Sequence, residues 1–267
     1  GVVVDAFGWR VVFFLTLPLE VIGIAATTWV MRGWIEVQET GGTRFDWLGA
    51  ALSTGVLVAL MLAMTTGNKA GWLSPPIVVA FAVAAVMLAI FIWWEMRTDA
   101  PMMDLRLFKG RTFTFGVSAA FLMFLGSSAV LFMMPFYLQN VLGYSARTAG
   151  FVVVPGALCM AVFGAVSGVL SDRFGRRPFT VGGLSFSAIG LFMLSRVTDD
   201  SSLFMVVPAL MLMNSGMGIF YSPNSSSVMA TVGQIKYGVV SGFLNLVRNA
   251  ANVASIAACL LYTSPSP

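Results

Sequence analysis

The sequence predicts an all-α, polytopic membrane protein of about eight transmembrane helices. Three observations carry this. Hydrophobic residues make up 58% of the 267-residue chain and charged residues only 10%, with a mean hydropathy of +0.89, a balance that a soluble domain could hold only by exposing a large apolar surface. Apolar runs of about 20 residues recur along the chain, each able to cross a hydrocarbon core of about 30 Å as a helix. The charges fall almost entirely in the short segments between those runs.

The runs lie at 11 to 31, 48 to 66, 76 to 96, 113 to 138, 148 to 170, 178 to 196, 203 to 223 and 237 to 258. The first is framed by Arg10 and Arg32 and holds Pro18 and Glu20. Asp46 and Trp47 open the second, and Thr65, Gly67, Asn68 and Lys69 close it. The third starts after Pro75 and ends at Trp93 and Trp94; tryptophans at run ends fit an interfacial belt. The fourth follows Lys109 and Arg111 and closes near Gln139, which can line an outer vestibule or cap the helix. Phe151 to Leu170 and Pro178 to Ser195 carry no charge, which defines the fifth and sixth. The seventh ends in the polar segment Ser222 to Ser227, and the eighth carries Asn245, Arg248, Asn249 and Asn252.

Composition removes several functions. Nucleic acid is not a plausible partner for so apolar a chain despite its net charge of +4. With no histidine and only Cys159 and Cys259, there is no His relay, disulfide framework or metal site to propose, and no cofactor is expected. Neither paired acids nor a nucleophile with its base is visible, so no enzyme is expected. The chain opens without Met or a signal peptide, and the expectation is that it starts mid-protein. Cys259 to Pro267 resembles a translated sequencing adaptor and is set apart.

Arg32, Arg44, Arg97, Arg106, Lys109, Arg111, Arg173, Arg176, Arg177 and Lys236 all fall on one side of the predicted topology, against Arg10, Lys69, Arg147 and Arg196 on the other. The positive-inside rule makes the first side cytoplasmic and the protein a multi-pass resident of the cell membrane, with lipid around it.

Gly168 to Phe179, GVLSDRFGRRPF, sets Asp172, Arg173, Arg176 and Arg177 between two uncharged runs. Gly168 allows close helix approach, Gly175 gives the backbone freedom of a tight turn, and Asp172 can accept from an arginine or face a helix N-terminus. The arrangement reads as a latch in a cytoplasmic loop, or more plainly as a topology-setting loop. It resembles the loop motif of the major facilitator superfamily, where the Asp and Arg hold the cytoplasmic side shut in one state of alternating access.

Further stretches narrow the resemblance. Trp9 to Val21, Phe45 to Ala50, Pro101 to Phe113 and Tyr137 to Gly150 are similar, in the right order, to segments of fourteen-helix drug:proton antiporters. The resemblance implies that residues 1–35 hold the last helix of an N-terminal half and that 36–110 hold two central extra helices. Residues 111–258 would then belong to a C-terminal half, and 259–267 to the adaptor-like tail. It implies proton-coupled export of small amphipathic or cationic compounds, protons as coupling partners and a monomer. An importer, a lipid or metabolite exporter, or a receptor or enzyme without transport are the rival readings.

Two ionisable residues lie deep in the predicted membrane. Ser241, Asn245, Arg248, Asn249, Asn252 and Ser255 share one face of the eighth helix at about 100° per residue. This stripe can line a central cavity, with Arg248 binding substrate or balancing a carboxylate, or its Asn side chains can bridge helices. Glu20, where the family usually shows Gly, can carry a proton, pair with Arg248, or sit neutral and hydrogen-bonded. Asn214, Gly218, Tyr221, Ser222 and Ser225 form a second polar face in which packing is the leading role, with Asn214 and Tyr221 as further cavity candidates. Ala161, Gly164 or Ala165, and Gly168 are expected to form a ridge of small residues for close packing or for rocking between helices, and Met123, Met133 and Met134 serve as core filler or suit an adaptable cavity.

Overall fold

In a bilayer every backbone polar group needs an internal partner, and the chain satisfies that demand with long helices. A computed structural model describes residues 8–32, 46–98, 105–233 and 237–263. Eight long α-helices make up most of them: α1 (Trp9–Met31), α2 (Trp47–Ala70), α3 (Pro75–Glu95), α4 (Arg111–Phe136), α5 (Ala146–Phe174), α6 (Arg176–Leu194), α7 (Leu203–Met229) and α8 (Tyr237–Thr263). The described residues contain no β-strand. Helices α1 to α7 are long and apolar enough to cross a membrane, and α8, at 27 residues, has the length but carries the polar stripe.

Local chemistry sets the helix ends. Asp46 caps α2 by accepting from the Gly49 backbone at 2.8 Å and also accepts from the Trp94 indole at 3.1 Å, which ties the start of α2 to the end of α3. Ser145 and Ser202 cap α5 and α7 in the same way. Pro135 removes a donor near the end of α4, and the chain continues as a π-helical turn, Tyr137–Val141. Gln139 is exposed there and donates to the Pro135 carbonyl at 3.2 Å, the capping role among the two left open by the sequence.

Four expected boundaries are corrected. The polar stretch read as a loop from 171 to 177 is helical up to Phe174 and again from Arg176, so the turn is Gly175 alone, at φ 86°. A left-handed φ of this kind suits glycine and strains other residues, which explains how one residue can reverse the chain. Likewise α7 runs through Pro223 to Met229 and α8 through to Thr263, because continuing the helix keeps backbone groups paired in an apolar surround.

Packing centres on α7, which lies against α5 and α6 along much of its length and also meets α4. Helix α4 packs on α8, α2 pairs with α3, and α2 also touches α8. The contacts with α7 run through small residues. A Cβ on Gly218 would lie 2.5 Å from the Met160 carbonyl oxygen of α5, and one on Gly190 of α6 would lie 2.6 Å from the Met213 nitrogen. Of the expected ridge on α5, Gly164 faces Gly218 and Gly168 faces Ser222, but Ala161 is exposed; the stripe instead runs through Gly156, Met160, Gly164, Ser167 and Ser171. Large apolar side chains such as Leu122, Leu131, Phe163 and Phe192 point outward, the reverse of a soluble protein. The interior keeps Phe113, Val117, Val228, Val240 and Val247 between α4, α7 and α8. A second cluster gathers Met134, Leu138, Val152, Val206 and Leu210. Helix α1 is exposed over the whole window Phe13–Val30.

Candidate functional site

Asparagine and arginine lower a helix's affinity for lipid, so α8 turns its polar stripe toward α4 and α7. There the three helices line an open-sided cavity of about 310 Å³ whose wall includes Ser222, Ser225 and Ser226 of α7, Ser241 and Asn245 of α8, and Phe124 of α4. A smaller recess of about 70 Å³ adjoins it, with Arg248, Met123, Met160 and Met217 in its lining. Phe124, Phe220 and Tyr221 belong to both. Phe124 and Tyr221 meet edge to face, with ring centroids 6.1 Å apart at 83°, and the Arg248 guanidinium carbon lies 5.9 Å from the Phe124 centroid, a cation held on an aromatic face.

The rest of the stripe divides. Asn252 accepts from the Ser128 hydroxyl of α4, so it bridges helices as one of its two expected roles would have it. Ser255 is buried, and its hydroxyl has no partner among the described residues. Asn249 is exposed and lines neither cavity, because at about 100° per residue it sits at the edge of the stripe.

The second polar face also divides. Tyr221 and Ser225 turn to the cavity, whereas Asn214 donates to the Leu210 carbonyl of its own helix at 2.8 Å and packs against Gly156, where a Cβ would lie 2.8 Å from its amide nitrogen. Ser222 serves both sides, lining the cavity and closing on Gly168, whose Cβ would lie 3.2 Å from its hydroxyl. Met123 faces the recess, and Met134 is in the apolar cluster at the far end of α4.

At the Gly175 end of the bundle, Asp172 and Arg173 occupy the last turn of α5 and Arg176 and Arg177 the first turn of α6. Asp172, Arg173 and Arg177 are exposed. Arg176 donates to the Ser226 carbonyl at 3.2 Å, which links the arginine-rich turn to a residue of the cavity wall. No ion pair joins Asp172 to an arginine among the described residues. Glu20 is exposed on α1, and no ion pair joins it to Arg248 there either.

Several participants escaped the sequence. Phe124 and Ser128 sit in a phenylalanine-rich and serine-containing helix with no distinguishing pattern. Asn224 is buried and donates to the Gly116 carbonyl of α4 at 3.1 Å; its setting in Ser222 to Ser227 read as a helix end. Glu95, at the foot of α3, is also buried. The small residues Gly183, Ser187 and Gly190, three and four positions apart on α6, did carry a readable signal for close packing.

An all-helical, lipid-facing bundle with a polar cavity beside a tight Gly-Arg-Arg turn restricts the families that fit, and comparison with known proteins decides among them. A family model described as the Major Facilitator Superfamily matches residues 1–256. The chain belongs to the major facilitator superfamily. Within this superfamily it is 30% identical over 248 residues to the multidrug resistance protein Stp of Mycobacterium tuberculosis, covering 93% of this chain and 45% of that protein. It is 29% identical to the multidrug transporter protein MdtP of Bacillus subtilis over 93% of this chain and 46% of that protein. It is 24% identical to the lincomycin resistance protein LmrB of Listeria monocytogenes over 99% and 55%. The chain spans about half the length of the curated relatives it matches. As a superfamily member with bacterial relatives, it is a multi-pass protein of the cell membrane.

Proposed function

We propose that the whole encoded protein is a secondary exporter of small amphipathic molecules, driven by protons and working by alternating access, with this chain supplying one side of its central cavity. The observation that carries the reading is the polar cavity between α4, α7 and α8, with Arg248 in the recess that adjoins it in an otherwise apolar bundle. Lipid has no use for such a surface, and an intramembrane ion is a functional candidate by default. The names of the relatives, multidrug resistance among them, support export and small-molecule cargo.

The residues divide by role. Tyr221, Asn245 and Arg248 line the substrate path, with Asn252 fixing α8 against α4. Gly168, Asp172, Arg173, Gly175, Arg176 and Arg177 form the gate motif, and Arg176 ties it to the cavity through Ser226. Glu20 is the coupling candidate in α1. Asn214 and Asn249 serve packing and the helix surface. No catalytic set forms part of the reading.

The test is uptake into inverted vesicles holding the whole encoded protein, with an imposed proton gradient and a fluorescent amphipathic dye panel. Gradient-dependent accumulation that collapses with an uncoupler is the expected result. Dye levels matching those of protein-free vesicles for every compound would remove the transport reading.

A further inference from the structure

We infer that the cavity between α4, α7 and α8 receives the anionic end of its substrate, a carboxylate carried on an aromatic or apolar body. The inference rests on the transport reading and narrows its cargo, away from the cationic compounds that family resemblance suggests.

Charge comes first. The three helices that line the cavity hold no Asp or Glu anywhere along Arg111–Val141, Leu203–Met229 or Tyr237–Thr263. A cation resting against these three helices would be desolvated with no counter-charge on them. Among the residues lining the cavity and its recess, Arg248 alone is ionised. Its guanidinium lies over Phe124, and no carboxylate pairs with it among the described residues. Arginine keeps its charge, and its planar fork of donors matches a carboxylate.

Hydrogen-bonding capacity points the same way. The Tyr221, Ser222 and Ser225 hydroxyls and the Asn245 amide line the cavity with no hydrogen-bond partner among the described residues, so these donors are available to oxygen acceptors. The Phe124 and Tyr221 rings, at the junction of cavity and recess, offer an apolar wall to an aromatic body. A volume of about 310 Å³ fits a small aromatic acid and lies at the lower end of ligand pockets, about 300 to 1,000 Å³.

The test uses three matched probes, naphthylacetate, naphthylacetamide and naphthylethylammonium, binding to the whole encoded protein in nanodiscs. The acid should bind about tenfold or more tighter than the amide, with the ammonium weakest. Arg248→Gln should lower acid affinity about tenfold more than amide affinity, and Arg248→Lys should restore part of the difference. Asn245→Leu gives a second, independent handle should the Arg248 variants fail to fold; it should weaken the acid more than the ammonium. Equal affinities for acid and amide in the unaltered protein, preference for the ammonium, or no binding of any probe each overturn the inference. So does a uniform effect of Arg248→Gln on all three, which assigns the arginine to a protein carboxylate instead. Gradient-driven movement of a cationic dye without preference for the acid would remove this inference and leave the transport reading standing, whereas movement of no compound would remove transport itself.

Discussion

Gly218 of α7 and Met160 of α5 meet backbone to backbone: a Cβ at position 218 would stand 2.5 Å from the Met160 carbonyl oxygen. Backbone cannot swing aside as a side-chain tip can, so Gly218→Ala should force the helices apart and destabilise the protein by about 1 to 3 kcal/mol. Gly164 lies on the same seam, but a Cβ there would stand 3.8 Å from the Gly218 backbone, an ordinary contact, and Gly164→Ala should stay within about 0.5 kcal/mol. Thermal unfolding of both variants in detergent checks the contrast, and equal losses would place the close approach elsewhere.

Asn224 sits almost fully buried and donates to the Gly116 carbonyl. Asn224→Ala removes a bond between α7 and α4 and leaves that carbonyl without this donor. The expected loss is about 1 kcal/mol, in the range of interhelical bonds in membranes. A melting temperature indistinguishable from that of the unaltered protein would mean that the bond contributes nothing net.

The proposed gate motif should divide into two behaviours. Asp172 is exposed and away from the cavity, so Asp172→Asn should slow transport while substrate affinity stays within about twofold. Arg176 holds the carbonyl of Ser226, a residue of the cavity wall, so Arg176→Gln should alter affinity as well as rate. Parallel binding and vesicle flux measurements separate them; a matching loss of affinity in both variants would dissolve the distinction.

Arg248→Ala leaves Phe124 without its cation and the recess without its charge. Transport in vesicles should fall at least about tenfold, and Phe124→Leu should produce a smaller loss through the weakened hold on the guanidinium. Unchanged flux in the alanine variant would reduce Arg248 to a structural role.

Much of this fold is legible in the sequence because a membrane makes the code simple: length and apolarity place α1 to α7, and polar punctuation marks most of their ends to within a few residues, the C-terminal end of α7 excepted. The turn at Gly175 was harder. Four charges in six positions look like a loop to any reading of polarity, yet the helices run into it from both sides, since only one residue needs a left-handed backbone there. The face of α8 was readable because Asn and Arg at helical spacing have few explanations in lipid. Which members of that face touch the cavity was not, because Asn245 and Asn249 differ only in their angle to partners on other helices. Asn214 shows the same limit. Its polarity left both packing and a cavity role open, with packing leading, and only its bond to Leu210 and the close approach of Gly156 separate the two. Phe124 was invisible in sequence because phenylalanine is common throughout the chain and its position under Arg248 depends on how α4 and α8 pack.

The glycine seam gives the bundle an uneven stiffness. Where Gly190, Gly216 and Gly218 set backbone against backbone, no rotamers remain to be exchanged, so α5, α6 and α7 act as one plank. On the other flank α7 meets α4 and α8 through Phe220, Val228, Val240 and Val247, side chains whose torsions can readjust in small steps. A change in what fills the space between them is therefore absorbed by α4 and α8 shifting against a rigid backstop.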